Sequence, residues 1–257
     1  MDRVPASSIH SYYRAFLQRW GRQNWWPAQS RFEVIVGAYL TQNTSWANVE
    51  KAMANLRCAR LLHIKGIRET PQAELEKLVR PSGYFRQKAQ RLKAFISFLD
   101  ASYNGSLDRM FAQPTEKLRS ELLALNGVGP ETADSILLYA GNHAVFVVDA
   151  YTRRILERHG IITPKATYEE IQALIEKAIS SARPEALRVL EAGAEPRHPI
   201  SRMSAMQRSP IAQHYNELHA LIVKTGHEFC RSTPRCEGCP LHLFLTKQQT
   251  RKQPNLR

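Results

Sequence analysis

Apolar residues recur along most of the chain at intervals of three and four, the spacing that predicts one buried face of an α-helix. Strand-like alternation is almost absent and no internal repeat is found. A capping box of Thr167 and Glu170 predicts the start of one helix. The pattern therefore predicts an all-α protein. The stripes that mark further helices are Phe32, Ile35, Ala38 and Tyr39; Val49, Met53 and Leu56; Leu75, Leu78 and Val79; Ala89, Leu92, Ile96 and Leu99; and Tyr215, Leu218 and Ile222.

Near the middle of the chain, two helices are predicted to meet at a tight turn. The first begins near Thr115 and is predicted to end at Gly127, because glycine tolerates a left-handed backbone. Val128 fills the turn, Gly129 allows a ligand to approach closely, and Pro130 suits the first position of the next helix. N–H groups at that helix start favour an anion such as a phosphate. The alternative is an ordinary turn between two helices. The buried stripes are Leu118, Leu122 and Leu125 before the turn and Ala133, Ile136, Leu137 and Ala140 after it.

Asp149 follows an apolar run at 144–148 and precedes a helix predicted at 151–159. An aspartate at that place is predicted to be the N-cap, which is the ordinary role of such a residue. A capping carboxylate can also take part in catalysis.

The charge of the chain favours a polyanionic partner. Its 257 residues include 36 Lys and Arg against 23 Asp and Glu, which gives a formal net charge of +13. A membrane surface would also attract this charge, but no apolar stretch is long enough to span a bilayer. The first residues lack the apolar core of a signal peptide. We therefore expect a cytoplasmic, nucleoid-associated protein that binds DNA and no membrane.

In three blocks the chain resembles the endonuclease III superfamily of DNA glycosylases, the helix–hairpin–helix–Gly/Pro–Asp enzymes. The blocks are residues 125–134 with 147–153, residues 37–44, and the cysteines Cys230, Cys236 and Cys239. The resemblance implies two helical domains with a cleft between them, where Asp149 would lie. Residues 31–140 would form the domain with the hairpin, and residues 1–30 plus 141–257 the domain with the cysteine loop. Such enzymes usually act as monomers on double-stranded DNA.

The same resemblance assigns roles to residues. Asp149 would stabilise the reacting sugar and activate water, and Gln42 would enter the space that the extruded base leaves. Gln42 as a polar turn residue is the alternative. The residues that would bind the DNA backbone are Gly127, Val128, Gly129 and Thr132.

Glu131 departs from the pattern of the bifunctional members, which carry a nucleophilic lysine at this position. A carboxylate cannot form an imine with the sugar. The substitution therefore predicts a monofunctional glycosylase, which releases a base without cutting the strand.

A narrower likeness, to the 3-methyladenine DNA glycosylases of this superfamily, rests on residues 25–27, 40–44, 79–84 and Glu131. It implies that Trp25 and Trp46 sandwich the damaged base, whereas an ordinary core or surface position is the alternative for both. An N-alkylated purine is cationic, and an indole face attracts a cation. Two other hypotheses remain: a glycosylase for oxidised pyrimidines or mismatched uracil or thymine with lyase activity, and a non-catalytic DNA-binding protein.

The cysteine loop resembles an iron–sulfur loop with one ligand missing. Leu245 stands where the family has its fourth cysteine, so His242 or His227 could complete a site for a [4Fe–4S] cluster or zinc, or the loop could hold no metal. Cys58 is predicted to be an inert buried thiol. The prolines at 192–212 predict a loop inserted relative to the family, with Arg197, Arg202 and Arg208 as solvated side chains or DNA contacts.

Overall fold

The structure is a computed structural model that describes residues 6–181 and 200–245. The named elements among these residues are all helices, and an isolated antiparallel bridge joins Cys230 and Pro234. The predicted all-α fold is confirmed. The helices are α1 (Ala6–Trp20), α2 (Arg31–Thr41), α3 (Trp46–Cys58), α4 (Ile64–Glu69), α5 (Gln72–Val79), α6 (Phe85–Tyr103), α7 (Leu107–Phe111), α8 (Thr115–Leu123), α9 (Pro130–Ser135), α10 (Ala150–Arg158), α11 (Tyr168–Ser180) and α12 (Pro210–Glu228).

One compact unit comprises the described parts of Met1–Trp25, Val145–Ile200 and Gln207–Arg257. In it α12 packs against α1, α10 and α11. The predicted stripe of Tyr215, Leu218 and Ile222 is buried. In this unit, α1 from the N-terminal part of the chain therefore packs with α10 and α11 around the long helix α12.

The other unit comprises Trp26–Ala144 and Ser201–Met206. Its central helix is α2, which packs against α3, α6 and α9 and is buried from Phe32 to Leu40. The domain boundaries predicted from the sequence were 31 and 140. The sequence did not predict that residues 201–206 belong to this unit, because their place depends on contacts with a distant segment. Met203 N donates to Ala28 O at 3.1 Å, and Ser201 Oγ donates to Trp26 O at 2.8 Å.

The helix after the tight turn becomes buried on all sides only in its second half. It continues beyond α9 in π-helical turns at Ile136–Ala140, and every residue of these turns is buried. The helix before the turn ends at Leu123, not at Gly127 as predicted. Leu125 lies in the turn, where its carbonyl accepts a hydrogen bond from Val128 N at 3.1 Å.

The structure can be compared with several local predictions from the sequence. The capping box of Thr167 and Glu170 is confirmed at the start of α11. The prediction for Cys58 was wrong, because this residue ends α3 at an exposed position. The predicted 192–212 loop is shorter, since Ser209 caps α12 and Pro210 begins it; residues 192–199, including Arg197, lie outside the described residues. No helix in the described part of the chain is long and apolar enough to cross a membrane.

Candidate active site

Asp149 is the N-cap of α10, as predicted. Its Oδ1 atom accepts hydrogen bonds from Thr152 N at 2.7 Å and from Thr152 Oγ1 at 2.8 Å. Thr152 is fully buried, and the Asp149 side chain is 13% exposed. No hydrogen-bond donor of the described residues reaches Oδ2. One oxygen of the carboxylate therefore fixes its direction, and the other is available for chemistry.

The segment before this N-cap is held by α11. Phe146 N donates to Glu176 Oε1 at 2.8 Å, and Phe146 O accepts from Gln172 Nε2 at 2.6 Å. Val148 N donates to the Tyr168 hydroxyl at 3.2 Å. An extended buried segment needs such partners because it has no neighbouring strand. The position of the carboxylate is thus set by two helices.

His219, on α12, is the titratable group beside Asp149. Its Nε2 lies 3.9 Å from Asp149 Oδ2, and its ring packs edge-on against Phe146. Burial lowers the pKa of His219, and the negative charge of Asp149 partly opposes this shift. The imidazole is therefore neutral near pH 7.

The tight turn has the backbone that its sequence predicted. Gly127 adopts φ +78°, and Val128 is buried beneath the turn. Gly129 is the N-cap of α9, and Pro130 is its first residue. A Cβ built on Gly129 would meet no atom within 4 Å. The Gly129 side of the turn is therefore open to a ligand.

An ion pair joins the two helices of the hairpin. Arg119 on α8 donates to both carboxylate oxygens of Asp134 on α9, at 2.7 and 3.1 Å. The Asp134 side chain is completely buried, and that of Arg119 is 22% exposed. This two-bond geometry fixes the angle at which the helices approach the turn.

Gln42 contacts the hairpin directly. Its Nε2 donates to Gly127 O and to Thr132 Oγ1, each at 2.9 Å, and its Oε1 accepts from Arg91 Nη1 at 2.6 Å. The structure therefore brings together three residues that the sequence singled out, Gln42, Gly127 and Thr132. Arg91, on α6, was not predicted.

Aromatic rings cluster at the start of α3. Trp46 is partly exposed, and its ring lies 5.3 Å from that of Trp26 at an interplanar angle of 74°. Trp26 in turn lies 5.3 Å from Tyr139. Trp25 is partly exposed and belongs to the other unit. Within its own unit, the ring partner of Trp46 is Trp26.

Glu131 is the second residue of α9 and is exposed. An acidic residue in the first turn suits the positive end of the helix. The position therefore presents a carboxylate, not an amine, beside the open side of the turn.

The three predicted ligand cysteines border one depression, together with His242 and Leu245. Arg158 Nη1 donates to Cys230 Sγ at 3.2 Å. Burial raises the pKa of Cys239 to about 11, and the other two thiols add to this shift. His227 does not border the depression; its Nδ1 lies 3.6 Å from Glu228 Oε1.

These donors fit a cluster better than a single ion. No three Cys, His, Asp or Glu side chains of the described residues are arranged around one metal ion. A cluster requires less convergence, because its thiolate ligands bind different iron atoms. The three thiols at one depression supply three of the four ligands that such a cluster ordinarily has, and the His242 imidazole borders the same depression.

Sequence analysis missed Thr152 and His219 beside Asp149, and Arg91 beside Gln42. Thr152 could have been found, because it stands three positions after a predicted N-cap. His219 and Arg91 carried no signal, since each is defined by a contact with a distant segment.

Known proteins resemble this chain along most of its length. The family described as "HhH-GPD superfamily base excision DNA repair protein" matches residues 36–181. A protein of Methanocaldococcus jannaschii named "Putative DNA repair glycosylase" is 42% identical over 238 residues, which cover 92% of this chain and 94% of that protein. An endonuclease III of Thermotoga maritima is 30% identical over 147 residues, covering 56% of this chain and 65% of the relative.

One solved structure combines fold and sequence similarity. The Helicobacter pylori 3-methyladenine DNA glycosylase bound to 1,N6-ethenoadenine is 29% identical, with a TM-score of 0.71. The match covers 87% of this chain and 97% of that protein.

Proposed function

Because the chain belongs to the HhH-GPD superfamily of base excision DNA repair proteins, it is a DNA repair glycosylase, and we propose that it hydrolyses the N-glycosidic bond of an alkylated purine such as 3-methyladenine. The observation that carries this mechanism is the Asp149 carboxylate, with one oxygen held by Thr152 and the other without a donor among the described residues.

Asp149 would act on the sugar after the base has left the DNA stack. The oxygen of a water molecule bonds to C1′ of the sugar while the bond from C1′ to the base breaks and its electron pair leaves with the base. The proton of the water passes to Oδ2 of Asp149. The fixed negative charge also stabilises the positive charge that develops on the sugar.

Glu131 supports a reaction that stops at the abasic site. A lyase needs an amine that attacks the sugar and forms an imine. At this exposed position beside the hairpin the chain has a carboxylate. The strand would therefore remain intact.

DNA would be held by the hairpin. The open Gly129 side of the turn lets a phosphate approach the first N–H groups of the helix that begins at Pro130. These contacts hold the backbone without reading bases. Gln42 contacts the same turn, and its side chain would fill the position that the extruded base leaves.

The substrate class follows from charge. N-alkylation makes the purine a cation and a good leaving group, so a strong general acid is less necessary. The partly exposed Trp46 ring, backed by Trp26, would attract such a cation by roughly 0.5–2 kcal/mol. The 29% identical 3-methyladenine DNA glycosylase from H. pylori supports the choice of an alkylated purine.

A second candidate is a glycosylase for oxidised pyrimidines or mismatched uracil or thymine. The similarity to endonuclease III of T. maritima favours it. The two candidates differ in the base released and in strand cleavage.

We also propose that Cys230, Cys236 and Cys239 hold a [4Fe–4S] cluster, with His242 as the fourth ligand. When bound, it would cross-link the loop after α12 and take no part in base release. We expect iron, acid-labile sulfide and visible absorbance in the purified protein. Cys236→Ala should lose them, whereas Cys58→Ala, at an exposed site on α3, should keep them. Iron-free wild-type protein would exclude the cluster.

The function is tested by a base-release assay on duplexes that carry one alkylated, oxidised or deaminated base each. We expect release of 3-methyladenine and no covalent trapping by borohydride. Efficient trapping by the wild-type protein, or release of oxidised pyrimidines alone, would replace the first candidate by the second.

A further inference from the structure

Arg91 connects two parts of the site that the proposed function treats separately. Its guanidinium donates to the side-chain oxygen of Gln42, whose amide nitrogen donates to the hairpin at Gly127 O and Thr132 Oγ1. The chain of contacts thus runs from α6 through the end of α2 to the turn before α9 and its first residues.

The Arg91 side chain lies directly against Gly127. A Cβ built on Gly127 would overlap the Arg91 guanidinium, whose Nη2 would lie only 2.7 Å away. Gly127 also has φ +78°, which side-chain-bearing residues rarely adopt. Arg91 therefore occupies one side of the turn, and the Gly129 side stays open.

These bonds fix the orientation of the Gln42 amide. Both hydrogens of its Nε2 are used, and its oxygen accepts from a charged donor, which makes a stronger bond than a neutral one. Rotation of the amide by half a turn would place its NH₂ group against the Arg91 cation. The side chain is therefore oriented before DNA binds.

We propose that Arg91 is a positioning residue that fixes Gln42 to the hairpin, so that phosphate binding by the turn presents Gln42 to the position that the extruded base vacates. This inference rests on the proposed roles of the hairpin and of Gln42. It does not depend on which base is removed. Arg91 itself makes no DNA contact in this role.

A double-mutant cycle tests the proposal. We expect Arg91→Met to slow single-turnover base release about 10-fold to 100-fold in the wild-type background, the effect of losing a hydrogen bond from a charged donor. In a Gln42→Ala background the same change should cost less than about 2-fold, because Arg91 acts through Gln42. Independent, multiplicative losses would overturn the proposal, as would a Gln42→Ala variant with the wild-type rate.

Salt dependence separates positioning from phosphate binding. Removal of a phosphate contact lowers the slope of log affinity against log salt by about 1. We expect the slope for undamaged duplex to be the same for Arg91→Met as for wild type, whereas a decrease of about 1 would overturn the proposal. Arg109→Met, which removes an exposed cation from α7 of the same unit, is the charge control.

A binding measurement tests the positioning role of Arg91 separately from the proposed substrate. Binding to a duplex with a tetrahydrofuran abasic-site analogue is measured for all four members of the cycle. Coupling between Arg91 and Gln42 on this ligand supports the positioning role even if 3-methyladenine is not released. The positioning role would be contradicted if Arg91 and Gln42 showed no coupling either on the analogue or on the lesion that the enzyme removes. Unchanged thermal unfolding of Arg91→Lys and Arg91→Met excludes misfolding.

Discussion

Asp149 shows how one carboxylate can stabilise a helix and remain reactive. The cap uses Oδ1 alone, and both of its hydrogen bonds come from Thr152. Oδ2 faces the neutral ring of His219 at 3.9 Å. The sequence could predict the cap because the signal is local. It could not predict the histidine, whose place beside Asp149 depends on the packing of α12 against α10.

The first prediction separates these two roles of Asp149. Asn is as good an N-cap as Asp, so Asp149→Asn should keep the thermal stability of the protein. The amide cannot take a proton from water, and we expect single-turnover base release to fall by roughly 10²–10⁴-fold. A rate within 2-fold of wild type would remove Asp149 from the mechanism.

Glu131 provides the second prediction at this scale. Glu131→Lys places an amine where bifunctional relatives carry one, and we expect borohydride to trap a covalent complex between this variant and lesion DNA. Glu131→Gln is the matched control and should give no complex. If the lysine variant binds lesion DNA but is never trapped, the position does not face the sugar.

At the scale of elements, the hairpin is a rigid unit because Arg119 and Asp134 clamp its helices. Arg119→Met would remove the guanidinium that pairs with the buried Asp134 carboxylate, and we expect a loss of about 2–4 kcal/mol in the free energy of unfolding. Urea unfolding measures it. Arg119→Met with Asp134→Asn should recover part of the loss, since the buried charge is gone. An Arg119→Met variant as stable as the wild type would show that the ion pair does not stabilise the fold.

The sequence predicted the hairpin well and its surroundings poorly. Gly127 and Pro130 determine local backbone geometry, so the turn could be inferred from a few residues. The π-helical turns at Ile136–Ala140 and the contact of Arg91 with Gln42 could not, because they depend on how α2 and α6 pack. Residues with local roles were thus predictable, and residues with tertiary roles were not.

On the scale of the whole molecule, the excess of positive charge includes a buried lysine. Lys88 on α6 is 1% exposed, and its ammonium donates to Leu40 O at 2.9 Å and Ser82 O at 2.6 Å. Burial, with a smaller contribution from Arg91, lowers the pKa of Lys88 to about 8. The ammonium ties the end of α2 to the turn before α6.

This buried lysine predicts a dependence of stability on pH. Between pH 8 and about 10.5 the unfolded chain keeps a proton on Lys88 that the folded chain has lost, so this group makes the fold more stable as the pH rises. We expect the unfolding free energy of wild type, relative to Lys88→Met, to increase by about 2–3 kcal/mol from pH 7.5 to pH 10. Urea unfolding at matched ionic strength measures this difference, and a constant difference would contradict the shifted pKa.

One unit is formed mainly by one continuous stretch of the chain and the other by three separate segments. The two units are therefore completed at different times during translation. Nearly all of the unit with the hairpin comes from one continuous stretch, Trp26–Ala144, and only Ser201–Met206 join it later. Helix α12, with His219, is translated after all the other α-helices of the described residues. Domains generally fold as units during translation, earlier segments first. A nascent chain on the ribosome should therefore complete most of the unit with the hairpin before Asp149 acquires its neighbours, so the proposed affinity for DNA would precede the capacity to cleave a glycosidic bond.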